Sequence, residues 1–316
     1  MCGIIGYIGE RPAQSILLEG LKRLEYRGYD SSGICLFLDK KKALSLRKLP
    51  GKIKGLEALL SNKPLVGCLG IAHTRWATHG SPNQANAHPH TDCNNEIAIV
   101  HNGIIENYIQ LKNDLIKEGH LFRSLTDTEV IAHLIEKFLK HSTLEEAIKK
   151  AVSRLEGSFA IALVSKNEPG KLIGCRKGSP LIVGIGKNEN FLASDVPAIL
   201  DSTRDVIFLE EGEMVVLGKD SCRITGMDGK EVTRKPTRIN WDIAQAGRHG
   251  YKHFMLKEIN EQPAITESVL KMRIPGGDIF FEEQKIPDEV FRKINNIVVV
   301  ACGTAYHAGL VGKYIL

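Results

Sequence analysis

Met1-Cys2-Gly3-Ile4-Ile5-Gly6 opens the chain, and its second residue decides how the rest is read. Removal of Met1 would leave a thiol and a free α-amino group on one residue, Cys2. Such groups titrate near ~8.5 and ~8, so a nucleophile and a base sit together close to neutral pH. The pair needs no neighbouring His or Asp, as with other nucleophiles served by an N-terminal amine. Taken alone, a Cys at this position is an ordinary small, half-apolar residue. The run that follows, Ile4–Ile8, reads as a β-strand.

Three further strings raise Cys2 above that plain reading. They are Glu25-Tyr26-Arg27-Gly28-Tyr29-Asp30-Ser31, His73-Thr74-Arg75-Trp76-Ala77-Thr78-His79-Gly80, and His101-Asn102-Gly103 with Thr126-Asp127-Thr128-Glu129 beyond it. In this order and spacing, with the Cys2-Gly3-Ile4 start, they closely resemble the glutaminase domain of the glutamine–fructose-6-phosphate aminotransferase (isomerizing) family. The resemblance runs from Cys2 to the end of the chain. It implies an α+β fold, the N-terminal-nucleophile hydrolase four-layer αββα sandwich. A linker and the truncated start of an α/β sugar isomerase domain would follow. On this reading the glutaminase domain spans residues 2–220, the linker 221–290 and the isomerase start 291–316.

Length and composition agree. The 316 residues suffice for one large domain and part of a second. A quarter of the residues are charged and the net charge is +5, as in an ordinary globular protein. No basic stripe with interleaved aromatics asks for nucleic acid, and Lys40-Lys41-Lys42 between two apolar runs reads as a solvated turn. The seven cysteines are odd in number and scattered, which argues against a disulfide framework and for reduced thiols in a cytoplasmic enzyme. The N-terminus lacks a signal-peptide pattern, and no apolar run approaches the ~20 residues that span a bilayer.

Along the first ~215 residues, β-like runs and amphipathic helices alternate. The strand-like runs are Ile4–Ile8, Gly33–Leu38, Gly67–His73, Glu96–His101, Ser158–Val164, Leu181–Gly186, Val206–Leu209 and Met214–Leu217. Helical stripes are Ile16, Leu17, Leu21 and Leu24; then Ile109, Leu111, Leu115 and Ile116; then Val130, Ile131, Leu134, Ile135, Phe138 and Leu139. Thr126 or Asp127 suits the N-cap of the third helix. Strands cluster and outnumber helices, which favours a layered α+β fold over regular βαβ alternation. Gly226-Met227-Asp228-Gly229-Lys230 reads as a hairpin turn. A polar, proline-containing segment follows from about 235 to 290, with helix around Phe254–Leu270. Asn296–His307 reads as a buried strand, a small-residue turn and a helix start, where backbone N–H groups favour an anion. A stub of ~30 residues cannot bury a core of its own.

Hydrolysis of a glutamine amide needs a nucleophile, a proton shuttle, an oxyanion hole and a clamp on the amino-acid end. The resemblance assigns nucleophile and shuttle to Cys2, and the oxyanion hole to the Asn102 amide and the Gly103 N–H. Without it, Asn-Gly is simply a common turn. Arg75 would bind the α-carboxylate and Asp127 the α-ammonium, although a plain helix cap is the alternative for Asp127. Thr78 and His79 would add hydrogen bonds. Trp76 would gate an ammonia path, where composition alone suggests a core residue. Arg27 would sit on a loop closing over glutamine. Cys302, Gly303 and Thr304 resemble the start of a fructose-6-phosphate site, with Ala305 where that family often has Ser. Full-length members are expected to be homodimers.

His73, His79, His88, His90 and His101, with Cys68 and Cys93 nearby, fit none of the usual zinc spacings, so no metal is expected. His88-Pro89-His90 reads as structural. No phosphate-binding loop of the nucleotide type is present, and no cofactor is expected. Two other readings stand beside the first. One is another N-terminal-Cys amidotransferase, such as an amidophosphoribosyltransferase, which the Val298–His307 segment disfavours. The other is a catalytically silent sugar-phosphate-binding module.

Overall fold

The computed structural model describes residues 2–240, 251–274 and 287–315. Contacts divide the chain into two units, Met1–Gly247 and Arg248–Leu316.

Among the described residues of the first unit, two antiparallel sheets carry the fold. The first sheet runs β15 (Thr237–Arg238), β11 (Asp205–Phe208), β9 (Ile182–Ile185), β10 (Asn190–Ala193), β1 (Gly3–Ile8), β4 (Leu69–Arg75), β2 (Ser31–Leu38) and β3 (Ala43–Pro50). The second runs β14 (Glu231–Val232), β13 (Cys222–Gly226), β12 (Glu213–Leu217), β8 (Leu172–Lys177), β7 (Gly157–Ser165), β6 (Ile97–Ile105) and β5 (His90–Thr91). β1 lies inside its sheet, with β10 on one side and β4 on the other, and all six of its residues are buried. A strand covered on both faces reads as a continuous apolar run, which is why Gly3–Ile8 does not alternate with polar residues.

The alternation shows in what each side chain meets. Ile5 and Tyr7 pack with Leu17, Leu21 and Leu24 of α1 (Ala13–Leu24) and with Leu56 and Leu60 of α2 (Ile53–Asn62). Ile4 and Ile8 face the other way, into an inter-sheet layer with Val100, Ala160, Ala162 and Val215. On the far face of the second sheet, Ile97, Ile99, Phe159 and Ile161 pack on α4 (Glu129–Leu139) and α5 (Leu144–Val152). The order is therefore helix, sheet, sheet, helix, the αββα sandwich. Leu21 is fully buried in the helix–sheet layer. Leu21→Ala is expected to lower the stability of this unit by about 3 kcal/mol through lost burial and a residual cavity, measurable as a fall in the denaturation midpoint.

Several readings shift. α3 (Tyr108–Lys117) buries Leu111 and Leu115, but Ile109 and Ile116 are 60% and 49% exposed. Ile109 stands about 200° around the helix from Leu111, so one stripe cannot hold both. α4 takes Thr128 as its N-cap, with no side-chain cap bond. Thr126 and Asp127 are drawn into bonds with other elements instead. The Gly226–Lys230 turn is present, closed by the Gly226 N–H on the Lys230 carbonyl at 2.9 Å. Residues 221–239, read as the beginning of the linker, supply β13, β14 and β15, and Ile239 is buried in the core. The first unit thus runs past the boundary read at 220.

In the second unit, α6 (Phe254–Arg273), α7 (Asp288–Phe291) and α8 (Gly303–Ile315) are helical. The expected buried strand before Cys302 does not form: residues 294–302 have no regular structure, and Val298 and Val300 are 84% and 93% exposed. A strand needs a partner for its N–H and C=O groups, and none is present among the described residues of this unit. The helix start at Gly303 is as read.

Candidate active site

Cys2 stands where β1 begins. Its Sγ lies 3.2 Å from the Trp76 N–H, which donates to it, and 3.5 Å from the Trp76 carbonyl. Burial pushes the thiol up from its ordinary range, while the Trp76 N–H and the Arg75 charge pull it back. A partly buried thiol with one donor is thus a weak acid awaiting a base. The backbone behind it is held from three directions. The Cys2 carbonyl accepts from Arg27 Nε and from Asn102 Nδ2, each at 3.1 Å. Two residues on, the Ile4 N–H donates to Ser194 Oγ at 3.0 Å.

Asn102 is fixed from behind. His73 Nε2 lies 3.0 Å from Asn102 Oδ1 and 3.1 Å from the His101 carbonyl. Both partners are acceptors, so the proton sits on Nε2. Burial holds the ring down at about 3, which keeps it neutral. With Oδ1 taken by His73, the amide must turn its NH₂ toward Cys2. Gly103 follows with φ +128°, and a Cβ there would lie 2.0 Å from the Ser158 carbonyl oxygen. Only glycine fits this backbone.

Arg75 is 3% exposed. Its Nη2 donates to the His79 carbonyl and, at 3.1 Å, to the Gly80 carbonyl. Its Nη1 is buried without a hydrogen-bond partner. An unpaired guanidinium nitrogen of this kind is costly unless something arrives to accept from it. Asp127 is buried, and its Oδ2 accepts from the Ile105 N–H at 2.9 Å, two residues past Gly103. The carboxylate is therefore tied to the Asn102-Gly103 strand and does not cap a helix. His79 packs edge-on against Tyr108 at 5.2 Å, with Nδ1 buried and unpaired. Thr78 is exposed and is not drawn into this set.

Arg27 is buried and pairs through Nη1 with Asp195 Oδ2 at 2.7 Å, beside the Tyr26 hydroxyl on the same oxygen. It anchors the Cys2 carbonyl. Trp76 is 46% exposed and meets Tyr29 edge-to-face at 5.7 Å, so it is no core residue. The 25–30 and 74–77 segments are laced together. The Asp30 N–H donates to the Arg75 carbonyl at 3.0 Å, Asp30 Oδ2 accepts from the Ala77 N–H at 2.9 Å, and Thr74 Oγ1 donates to the Gly28 carbonyl. A Cβ on Gly28 would lie 2.8 Å from the Arg75 carbonyl carbon and the Trp76 nitrogen.

Behind this layer lies a buried histidine stack. His73 and His88 are 4.3 Å apart, and His88 and His90 4.7 Å. Thr128 Oγ1 bridges His88 Nε2 at 2.8 Å and His101 Nδ1 at 2.9 Å. Lys48 Nζ donates to the Ala87 and Pro89 carbonyls at 2.7 and 3.0 Å, and burial pushes it down to about 8. The structural reading of His88-Pro89-His90 thus has its physical basis. All seven cysteines are free. Cys68 Sγ donates instead to the Glu10 carbonyl at 3.5 Å. Cys302 is exposed in the second unit, where Gly303 and Thr304 begin α8. Sequence reasoning missed Ser194, Asp195 and Lys48, which carry no local signature. It quoted Asp30 only as part of a string, and weighed His73 only as a metal ligand.

A glutamine amidotransferase domain family matches residues 73–201. Over 317 aligned positions the chain is 49% identical to the glutamine–fructose-6-phosphate aminotransferase of Clostridium tetani, covering all of this chain and 52% of that protein. It is 50% identical to the enzyme of that name from Aquifex aeolicus and 51% to that of Thermococcus kodakarensis, with 99% of this chain and 51% of each relative covered. The chain thus spans about half the length of the curated relatives it matches. Among solved structures, glutamine phosphoribosylpyrophosphate amidotransferase from B. subtilis matches with a TM-score of 0.63 at 28% identity, over 72% of this chain and 49% of that one. A structure described as the allosteric regulatory enzyme of purine biosynthesis matches with a TM-score of 0.64 at 29% identity, with the same coverage. The family read from the four strings is the one these relatives bear, and the fold is that of the N-terminal-nucleophile amidotransferases.

Proposed function

We propose that this chain, similar along its whole length to half of a glutamine–fructose-6-phosphate aminotransferase, hydrolyses glutamine to glutamate and ammonia at Cys2. The observation that carries the proposal is the convergence on the Cys2 backbone and thiol of Asn102, Arg27 and the Trp76 N–H. The Cys2 α-amino group, freed by loss of Met1, takes the thiol proton, directly or through a water. The thiolate attacks the amide carbon and gives a tetrahedral oxyanion. The Asn102 amide and the Gly103 N–H stabilise that charge. Collapse breaks the C–N bond, the amine returns a proton, and ammonia leaves a γ-glutamyl thioester. Water, deprotonated by the same amine, then releases glutamate.

Arg75 Nη1 is the donor awaiting the substrate's α-carboxylate, and Asp127 receives its α-ammonium. His79 lines that end. Trp76, exposed beside the thiol, suits a gate for departing ammonia. In a full-length protein the ammonia would convert fructose 6-phosphate to glucosamine 6-phosphate in a cytoplasmic homodimer. Cys302, Gly303 and Thr304 would then be the first residues of the sugar-phosphate site. The phosphoribosyl alternative is weaker, since identity falls from 49% over the whole chain to 28% over 72% of it.

Release of glutamate from L-glutamine by the purified chain tests this. Arg75→Ala is expected to lower kcat/KM by about 10²-fold, chiefly through KM, since about 3 kcal/mol of charged hydrogen bonding is lost. An unchanged KM would remove Arg75 from the carboxylate site.

A further inference from the structure

Away from Cys2, one group of side chains has no part in glutamine hydrolysis. Cys93, His120, His133 and Glu136 each offer one ligand atom, and these four atoms lie within 4.8 Å of one another. Cys93 Sγ is 3.6 Å from His133 Nδ1 and 3.9 Å from His120 Nδ1. Glu136 Oε2 is 2.7 Å from His120 Nδ1 and 3.1 Å from His133 Nδ1. We propose that this cluster is a structural zinc site.

The geometry suits the ion. Bonds of about 2.3 Å to sulfur and about 2.0–2.1 Å to nitrogen and oxygen put the corners of a tetrahedron about 3.3–3.6 Å apart. The observed separations bracket those values, so a small adjustment brings the atoms onto one centre. The chemistry suits it as well. A thiolate with two imidazoles selects zinc over magnesium or calcium. One thiolate and one carboxylate balance the two charges of the cation. Four protein ligands close the coordination sphere, which marks a structural site and leaves no position for substrate.

The surroundings fit a coordinated set. The Leu121 N–H donates to Cys93 Sγ at 3.3 Å. His133 Nε2 is buried without a hydrogen-bond partner and faces Glu129 Oε1 at 3.7 Å. A metal on Nδ1 would fix the proton on Nε2, toward that carboxylate, the common outer partner of a ligating histidine. Phe122 covers the His133 ring at 4.4 Å.

The ligands come from three separate places. Cys93 is in the turn between β5 and β6, His120 is in the loop after α3, and His133 and Glu136 are one turn apart on α4. One ion would therefore tie the base of the strand carrying Asn102 and Gly103 to the helix and loop flanking Asp127. Sequence spacing hid the site, because three of its members lie outside the histidine set that was weighed and their separations match no short zinc motif.

The test uses the untagged chain, stripped of metal and equilibrated with zinc alone or cobalt alone. One zinc per chain is expected by elemental analysis. It should be retained in Cys2→Ala, which removes the thiol of the candidate glutaminase site, and lost in Cys93→Ser and Glu136→Gln. The cobalt form should show tetrahedral visible bands, with a sulfur charge-transfer band that Cys93→Ser abolishes. Wild-type protein that binds no zinc, or a cobalt spectrum indifferent to Cys93→Ser, overturns the proposal and leaves a hydrogen-bonded Glu136–histidine cluster. If the variants fail to fold, the wild-type zinc stoichiometry and a cobalt spectrum of one thiolate with two imidazoles still decide. These readouts need no glutaminase activity, so the two proposals stand or fall separately.

Discussion

Cys2→Ala is expected to lower glutamine hydrolysis by at least about 10⁴-fold, the scale on which enzymes lose rate when the nucleophile is removed. The same loss is expected without touching the thiol, by leaving Met1 in place or adding any residue before Cys2. That change converts the amine to an amide N–H, which cannot accept a proton. Burial already pushes the Cys2 thiol up, and the Trp76 N–H and Arg75 only partly offset this. A thiol in that position depends on its base. Two preparations, one starting at Met1 and one at Cys2, should be treated with an electrophilic glutamine analogue, and the N-terminal peptide weighed. The chain starting at Cys2 should carry one adduct and release glutamate, and the other should do neither. Full activity in a chain that keeps Met1 would remove the amine from the mechanism.

How much of this was legible depends on whether a residue's role is local. β1 was readable from Ile4–Ile8 because a strand buried on both faces must be apolar throughout. α1 was readable because Leu17, Leu21 and Leu24 recur at helical spacing and all reach the core. α5 was missed although its signal was present: Thr143 and Glu146 form a reciprocal capping box. β3 and β8 escaped because Ala43–Pro50 and Leu172–Lys177 mix charged residues into short runs that are set by strand pairing. The exposed Val298–Val300 run shows the converse, since apolar and β-branched residues make no strand without a neighbour.

Of the candidate site, Cys2, Arg75, Asn102, Gly103 and Asp127 were singled out through their strings. What those strings could not show is how each side chain is aimed. Asp127 could be separated from a helix cap only by the Ile105 N–H on its carboxylate. Arg27 was expected on a loop closing over glutamine, and its string gave no sign that Nε would hold the Cys2 carbonyl. Ser194 meets Ile4 from 190 residues away in sequence and Asp195 meets Arg27 from 168, and nothing in a single sequence marks such contacts.

Asn102→Ala should reduce kcat by about 10²–10³-fold, equivalent to about 3–4 kcal/mol of lost oxyanion stabilisation. The amide has two jobs in the free protein, however, because its Nδ2 also donates to the Cys2 carbonyl. A drop in rate alone could come from a displaced nucleophile. Arg27 Nε still holds that carbonyl at 3.1 Å when Asn102 is truncated, so the thiol should stay in place. Alkylation of Cys2 by a glutamine analogue that reacts by displacement at carbon forms no oxyanion and reports thiol position alone. Labelling by such an analogue should remain within about tenfold of wild type while hydrolysis falls by the larger factor. If both fall together, Asn102 is a positioning residue for Cys2, and the oxyanion charge rests on Gly103 and other donors. His73→Ala separates the cases further. It leaves both oxyanion donors in the chain but frees Asn102 Oδ1 from the imidazole that turns the amide toward Cys2. A loss in kcat with unchanged labelling and unchanged KM would mean that the orientation of Asn102, fixed from the buried histidine layer, is what the reaction requires.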